Sequence, residues 1–118
     1  MLAKTYRLRE RKDFRRVYQR GKSQAYPYFV LYYRPSRLPN YRIGFSVSKK
    51  QGNAVVRNRL KRRFREVCRL TPEAFSSGMD YIFIIRSAMG NASGGQMKAQ
   101  LLQALSRIAS AKGGGSGK

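Results

Sequence analysis

The 118-residue sequence predicts an α+β domain in which helices pack on one small mixed β-sheet. Apolar residues recur at helical spacing in three segments, whereas three other segments alternate or are continuously apolar. These segments follow one another in the order helix, strands, helix, strand, helix. The length suits a single domain with a modest core. We expect that domain over residues 1–110, followed by a flexible Gly/Ser tail over residues 111–118.

The first predicted helix runs from Asp13 to Arg20, after an extended stretch over residues 1–10. Its apolar side chains share one helical face: Phe14, Val17 and Tyr18. Gly21 follows as the residue that ends the helix.

Two strands are predicted next. Tyr26 to Arg34 is rich in aromatic and β-branched side chains, and Arg42 to Ser48 alternates apolar with small or polar residues. Pro27 limits the start of the first strand to an edge or entry position. Because only a turn over Pro35 to Asn40 separates them, we expect the two strands to form an antiparallel pair.

The strongest predicted helix covers Ala54 to Leu70, after a polar loop from Lys49 to Asn53. Asn53 is its expected N-cap, and Pro72 follows its end. At about 100° per residue, one arc of this helix is apolar and is expected to be buried: Val56, Leu60, Phe64 and Val67.

The last two predicted elements are a strand from Tyr81 to Arg86 and a helix from Met97 to Ala109, with Gly90 to Gly95 as a loop between them. The strand is almost continuously apolar, as expected of a strand buried on both faces. The helix carries one apolar stripe: Met97, Leu101, Leu105 and Ile108.

The charge of the chain predicts a polyanionic partner. Lys and Arg total 26 against 5 acids, a formal net charge of +21. From Phe14 through Arg65 the sequence holds 15 basic residues and no acid. Nucleic acid is the usual partner that relieves such self-repulsion. A surface made basic for solubility alone is the alternative, but acidic residues serve solubility better.

The second helix concentrates this charge on the side opposite its apolar arc. Arg57, Lys61, Arg65 and Arg69 form a row of like charges at i, i+4 spacing, with Glu66 as the only acid nearby in the helix. Each such pair destabilises a free helix by about 0.2–0.5 kcal/mol. A phosphate backbone makes the row favourable through counterion release, and arginine grips phosphate in a bidentate manner.

The aromatic side chains of the first strand allow two interpretations. Alternation places Tyr26, Tyr28 and Tyr32 on one face, and Phe29 and Tyr33 on the other. One face must pack against the core. The other is either buried as well or forms a platform for unpaired bases, at about 1–3 kcal/mol per stacked base.

Other features of the sequence disfavour several kinds of site. With no His and with Cys68 as the single Cys, a His/Cys zinc site and a Ser-His or Cys-His nucleophile pair are excluded. We therefore identify no catalytic and no metal-binding residue. An apolar run of 18 residues and a signal peptide are both lacking, and a lone Cys suits a reducing compartment. We expect a cytoplasmic protein that does not bind membranes.

Three stretches of the sequence resemble the protein subunit of bacterial ribonuclease P: KDFRRVYQRGK at 12–22, YFVLYY at 28–33 and IGFSVSKKQGNAVVRNRLKRRFRE at 43–66. The resemblance covers residues 8–110 and implies the order α-β-β-β-α-β-α with a left-handed β-α-β crossover. It also implies a subunit that supports a catalytic RNA in removing the 5′ leader of precursor tRNA, with Mg²⁺ held mainly by the RNA. We expect one copy of the chain per catalytic RNA.

The resemblance implies two groups of site residues. The first group binds the catalytic RNA: Lys49, Lys50, Arg57, Asn58, Arg59, Lys61, Arg62 and Arg65. The second group lines a cleft for the single-stranded leader: Phe14, Tyr18 and Tyr32.

Three alternatives stand beside this interpretation. A structural RNA-binding protein, such as a ribosomal protein, fits the size and charge equally well, and only the RNR helix after the SVSKK loop separates the two. A nuclease acting alone needs clustered carboxylates. Binding to anionic membranes needs the apolar helix face that the core uses.

Overall fold

The computed structural model describes residues 4–116, with side chains described for residues 5–109. Within that range the backbone forms three α-helices and four β-strands. In chain order they are α1 Arg11–Arg20, β1 Lys22–Ala25, β2 Phe29–Pro35, β3 Arg42–Val47, α2 Ala54–Arg69, β4 Met79–Ile85 and α3 Gly94–Ser116. Short 3₁₀ turns occur at Lys4–Tyr6, Lys49–Gln51, Pro72–Ala74 and Ser87–Asn91.

The four strands form one mixed sheet in the order β1-β2-β4-β3. β2 is antiparallel to both β1 and β4, whereas β3 is parallel to β4. The predicted α+β class with a small mixed sheet is therefore confirmed. α2 connects the parallel strands β3 and β4, which is the β-α-β unit that the resemblance implied. Six of the seven residues of β4 are buried, so the prediction of a strand buried on both faces is also confirmed.

The predicted antiparallel pairing of the second and third strands is wrong, because β4 lies between β2 and β3. Leu31 and Phe45 are both register partners of Phe83, from opposite sides of β4. β4 is apolar on both faces, and the centre of the sheet is where both faces are covered. Burial of this strand therefore takes precedence over the short connection between β2 and β3.

The predicted strand from Tyr26 to Arg34 is also corrected at its start. A hairpin turn around Pro27 separates β1 from β2, and the Tyr26 amide donates to the Phe29 carbonyl at 2.8 Å. Alternation does not continue through a turn. Tyr26 and Tyr28 consequently pack with the main core, and do not share a face with Tyr32.

The sheet is the middle layer of three. On one face, β4 residues such as Phe83 pack against α2 and α3 in the main core, which includes Phe64 and Leu101. On the other face, Ile82 packs with Val17 of α1 in a smaller cluster. The alternation of side chains along β4 thus divides the core in two, and α1 together with Leu8 of the segment before it covers the second face.

α2 begins as predicted and buries a slightly different stripe. The Asn53 side chain accepts a hydrogen bond from the Val56 amide at 3.0 Å, which confirms the N-cap. The buried residues are Leu60, Phe64 and Cys68, spaced at i, i+4. Val56 was predicted to be buried but is 39% exposed, because the first turn of the helix lies against Gly52 of the preceding loop and not against the sheet.

α3 keeps its predicted stripe, since Met97, Leu101, Leu105 and Ile108 are all buried. The helix begins at Gly94, three residues earlier than predicted, so part of the predicted loop is helical. Ser93 explains the earlier start: its hydroxyl accepts from the Gln96 amide at 3.1 Å, and the Gln96 side chain accepts from the Ser93 amide at 2.8 Å. α3 also extends to Ser116, seven residues beyond its predicted end, so its backbone includes residues 111–116 of the predicted tail; the flexibility of that tail stays a prediction.

Candidate nucleic-acid interface

The residues predicted to bind the catalytic RNA lie together on α2 and the turn before it. We call them the basic face: Lys49, Lys50, Arg57, Asn58, Arg59, Lys61, Arg62 and Arg65. At about 100° per residue, Asn58, Arg59, Arg62 and Arg65 lie on the side of α2 away from Leu60 and Phe64, whereas Arg57 and Lys61 lie closer to the buried row. Asn58, Arg59 and Arg62 are exposed, whereas Arg57, Lys61 and Arg65 are half-buried.

Lys49 and Lys50 are exposed on a 3₁₀ turn that is tied to the sheet. The Gln51 side chain donates to the Ile85 carbonyl at 3.0 Å, and the Ser48 hydroxyl accepts from the Lys50 amide at 3.2 Å. Gly52 has a φ of 132°, a conformation that favours glycine and turns the chain into α2. The two lysines are thus held beside the N-terminus of α2.

Arg65 is the most constrained member of the basic face. Its guanidinium lies over the Phe45 ring, 5.5 Å from the centroid. Burial lowers the pKa of Arg65, and the neighbouring Arg7 and Arg62 lower it further. Arg65 therefore stands among like charges in a partly dry position, where an anion is favourable.

The structure adds two cations that sequence reasoning missed. Arg7 and Arg9 line a pocket of about 130 Å³ together with Lys61 and Arg65, beside the outer strand β3. The Leu8 amide donates to the Ile43 carbonyl at 2.9 Å, which holds this segment against β3. The basic N-terminal sequence was a visible signal, but nothing local indicated that it would lie next to α2.

Three arginine Nε atoms near this face are buried and have no hydrogen-bond partner among the described residues: Arg7, Arg57 and Arg65. A buried charged donor without an acceptor is unfavourable. Phosphate oxygens are strong acceptors for guanidinium groups. The arrangement is therefore suited to binding a polyanion.

Arg63, to which the sequence assigned no role, has a structural contact. Its Nη2 donates to the Ala92 carbonyl at 2.7 Å, which ties α2 to the segment before α3. Its neighbour Arg62 is exposed and belongs to the basic face. The two adjacent arginines thus differ in their contacts within the protein.

The three predicted leader-binding aromatics come together on the opposite face of the sheet. Tyr18 and Tyr32 meet edge to face, with ring centroids 4.9 Å apart, and Phe14 lies 6.2 Å from Tyr18. Tyr18 is 37% exposed, and Phe14 and Tyr32 are half-buried. α1 positions two of these rings and β2 the third. We call this surface the aromatic cleft.

The floor of the aromatic cleft consists of two β3 residues that the sequence did not single out. A Cβ at Gly44 would lie 2.5 Å from Phe14 Cζ, so the ring rests directly on the glycine backbone. Ser46 is hydrogen-bonded with Tyr18; burial raises the pKa of Tyr18, and this bond partly offsets the rise. A glycine inside a strand is a known signal of close approach, and it could have identified Gly44.

Acidic groups near α1 are held by arginine. The Arg42 guanidinium donates to both carboxylate oxygens of Asp80, at 3.0 and 2.9 Å, and to Asp13 at 3.3 Å. Its hydrogen bonds to Asp80 raise the pKa of Arg42, and its partial burial opposes the rise.

In the described part of the chain, no group of three or more His, Cys, Asp or Glu is placed to hold a metal ion. No helix among the described residues is long and apolar enough to cross a membrane.

A family model for Ribonuclease P matches residues 2–109. The chain is 40% identical over 116 residues to the ribonuclease P protein component of Geobacillus kaustophilus, an alignment that covers 97% of this chain and 95% of the relative. It is 43% identical over 94 residues to that of Desulforamulus reducens, covering 80% of this chain and 83% of the relative.

Two solved structures are similar to this one. The ribonuclease P protein from Thermotoga maritima matches with a TM-score of 0.78 at 33% identity, over 86% of this chain and 96% of that chain. A Staphylococcus aureus ribonuclease P protein mutant, described as defective in mRNA degradation activity, matches with a TM-score of 0.77 at 36% identity, over 91% of this chain and 90% of that chain.

Proposed function

This chain belongs to the Ribonuclease P family, and on that premise we propose how its two surfaces act. As a ribonuclease P protein component, it is part of a ribonucleoprotein endoribonuclease that processes tRNA. We propose that the basic face binds the catalytic RNA and that the aromatic cleft holds the single-stranded 5′ leader of precursor tRNA. The RNA subunit then cleaves the leader from the mature 5′ end.

The observation that carries this proposal is that β3 separates the two surfaces. Gly44 and Ser46 face the aromatic cleft, whereas Phe45, between them, lies under Arg65 of the basic face. An RNA on the basic face therefore leaves the cleft free for a second strand. The same edge strand holds both RNAs close to each other.

The aromatic cleft suits a single strand because its rings are open to unpaired bases. The partly exposed Tyr18 ring, supported by Phe14 and Tyr32, offers stacking worth about 1–3 kcal/mol per base. A base inside a duplex is already stacked and gains less. Only the precursor carries a leader, so stacking here favours precursor over mature tRNA.

The basic face suits a folded RNA because it supplies charge without pairing it internally. Arg57, Arg59 and Arg62 have no ion-pair partner among the described residues. Each phosphate that they neutralise releases counterions, so the affinity falls steeply with salt. Arginine also provides the fork geometry that matches phosphate oxygens.

We propose that Mg²⁺ supports the cleavage and is bound mainly by the RNA. The carboxylates of this chain fit a metal poorly, since Asp13 and Asp80 are both held by Arg42. The protein contributes by neutralising phosphates, which lowers the metal concentration that the RNA needs. We further propose that one copy of the chain joins one RNA in the cytoplasm.

The first test is cleavage of 5′-labelled precursor tRNA at low Mg²⁺ by a bacterial ribonuclease P RNA, with and without this chain. We expect a large rate gain with the protein. The gain should fall in the variant Arg57→Ala plus Arg59→Ala. The control variant Lys98→Ala plus Arg107→Ala removes the same charge from the exposed side of α3, which carries no residue of the basic face, and should keep the gain.

The second test addresses the leader. Tyr18→Leu keeps an apolar side chain, although a smaller one, and loses the aromatic ring, so it should reduce the preference for precursor over mature tRNA without weakening RNA-subunit binding. A rate gain that is the same for substrates with and without a leader would contradict the role of the cleft. No gain at all, with RNA binding intact, would indicate a general RNA-binding protein instead.

A nuclease acting alone is a second candidate, because the similar Staphylococcus aureus structure is of a mutant with defective mRNA degradation activity. We expect this chain to cleave nothing by itself, since arginines hold its buried carboxylates. Incubating the purified chain with a long transcript and Mg²⁺, without any RNA subunit, checks this. Reproducible cleavage that survives repeated purification would establish the second candidate.

A further inference from the structure

α1 divides its face of the sheet into two grooves. Val17 is fully buried and points at the sheet. At 100° per residue, Phe14 and Tyr18 lie about 60–100° to one side of Val17, and Arg16 and Arg20 lie as far to the other side. The first flank forms the aromatic cleft. The second flank borders a groove that neither the sequence nor the proposed function has used.

This second groove has a volume of about 790 Å³ and lies between α1 and the end of β2 with the loop that follows. We call it the basic groove. Its lining includes Arg15, Arg16, Gln19 and Arg20 of α1, and Arg34 and Arg37 of the opposite wall. Cations therefore face each other across the groove.

The carboxylates of the basic groove are already paired. Asp13 and Asp80 hold Arg42, which lies between them at the floor. Glu10 lies 3.7 Å from Lys12 at one end of the groove. For Arg20, Arg34 and Arg37, no described carboxylate lies within ion-pair distance. The positive charge of the rim thus remains available to a ligand.

The lining also indicates what kind of anion fits. It contains no aromatic ring and only Pro35 and Leu38 as apolar side chains. A protein partner needs an apolar centre in its interface, and unpaired bases need stacking surfaces. A phosphate backbone needs neither. The stretch of α1 from Lys12 to Arg20 rises about 12 Å, so the cations follow a line and not a point.

We propose that the basic groove binds the phosphate backbone of a second RNA segment, separate from the leader in the aromatic cleft. The inference rests on RNA being the partner of this chain, as proposed above. α1 then lies between two RNA strands. Its flank with Phe14 and Tyr18 contacts bases, and its flank with Arg16 and Arg20 contacts phosphates. Recognition in the basic groove is independent of base sequence.

A salt-dependence measurement tests the charge argument. Arg20→Ala plus Arg37→Ala removes one cation from each wall, and Lys98→Ala plus Arg107→Ala is the control with the same net charge. Binding of the full chain to labelled ribonuclease P RNA and to labelled precursor tRNA is measured over a range of NaCl. For one of these RNAs, the groove variant should lower the slope of log affinity against log salt by about 1.5 relative to the control. Equal slopes for the two variants with both RNAs would overturn the proposal.

A cross-linking measurement tests the location. Cys68 is fully buried, and burial raises the pKa of its thiol, so it stays unlabelled in the folded chain. A photoreactive group can therefore be placed at Gln19→Cys in the groove or at the control Gln103→Cys on α3. In the reconstituted complex, position 19 should cross-link to the catalytic RNA or to the tRNA body much more than position 103 does.

Two outcomes of the cross-linking would overturn the proposal. Equal yields at the two positions would show that the groove holds no RNA. Cross-links from position 19 to the leader alone would make the groove an extension of the aromatic cleft. The proposed function fails differently, through the absence of a rate gain with the unmodified chain, and the salt slopes still report on the groove in that case.

Discussion

Gly44 shows how the absence of a side chain shapes the aromatic cleft. The Phe14 ring rests on the backbone of this residue, closer than any Cβ would permit. Tyr18 and Tyr32 then stand beside Phe14 at ring distances typical of paired aromatics. The position of the whole cleft therefore depends on one glycine in β3.

We predict that Gly44→Ala displaces the Phe14 ring and weakens leader binding. The added Cβ would meet Phe14 Cζ at 2.5 Å, and the ring must move away because the strand backbone is fixed by its neighbours. Weaker stacking of one leader base on the aromatic cleft lowers the preference for precursor over mature tRNA by about fivefold. Equilibrium binding of both RNAs to the reconstituted complex measures the preference. Gly94→Ala, where nothing lies within 4 Å, is the control; an equal effect of both variants would contradict the role of Gly44.

Cys68 makes stability depend on pH. Burial raises the pKa of its thiol well above the ordinary value of 9.0. As pH rises through 9, the unfolded chain loses this proton while the folded chain keeps it, so the free energy of unfolding falls. The stabilisation that comes from keeping the thiol protonated is complete below pH 9. It is lost as the pH rises towards the pKa of Cys68 in the folded chain. Tyr81 acts likewise at higher pH, since burial raises its pKa from 10.0.

We expect Cys68→Ala to flatten this pH dependence. The variant should be less stable at neutral pH by about 1 kcal/mol, because it leaves a small cavity. Between about pH 8 and 10, however, its stability should fall less than that of the unmodified chain. Urea unfolding at several pH values measures both quantities. Parallel curves for the two proteins would show that the thiol does not titrate in this way.

At the scale of elements, α2 is both a core helix and the main basic surface. Its buried row of Leu60, Phe64 and Cys68 packs on the sheet, and its basic side faces outward. Arg62 and Arg63 are adjacent in sequence but differ in contact. Of the two, only Arg63 donates a described hydrogen bond, to the Ala92 carbonyl.

We predict that Arg62→Ala and Arg63→Ala separate stability from RNA binding. Arg63→Ala should lower the free energy of unfolding by about 1–3 kcal/mol, because a charge-assisted hydrogen bond to a backbone carbonyl is lost. Arg62→Ala should change stability little and should weaken binding to the catalytic RNA. Urea denaturation and RNA binding, measured on both variants, check the contrast. A reversal of the two effects would mean that Arg63 belongs to the RNA surface and Arg62 does not.

At the scale of the whole molecule, the net charge of +21 opposes folding. The row Arg57, Lys61, Arg65 and Arg69 adds like-charge pairs along α2, although Arg69 is partly compensated by Glu66 at 2.9 Å. Charges at the surface of the helix are screened by salt, whereas buried contacts such as Arg42 with Asp80 are screened much less. Salt therefore acts mainly on the repulsion.

We expect the free energy of unfolding to rise with NaCl in the absence of RNA. Three like-charge pairs along α2 at a few tenths of a kcal/mol each set the scale, so the gain over the range up to about 0.3 M is about 1 kcal/mol. Urea, an uncharged denaturant, is used for the measurement. A fall in stability with added NaCl would show that favourable ion pairs outweigh the repulsion.

The sequence by itself determined the features that depend on neighbours along the chain. Helical periodicity located α2 and the buried stripe of α3, Asn53 was identified as an N-cap, and the apolar run identified β4. The basic side of α2 followed from the order of residues in one helix. Such patterns are local, because the chain itself sets the spacing of side chains in a helix or a strand.

Only the tertiary structure decided which elements meet. The position of β4 between β2 and β3, the contact of Arg7 with the surroundings of Arg65, and the pairing of Arg42 with Asp13 and Asp80 all join residues far apart in the chain. The same is true of the basic groove, whose two walls come from α1 and from the end of β2. These contacts depend on how apolar surfaces are buried in three dimensions, and a local pattern does not encode that arrangement.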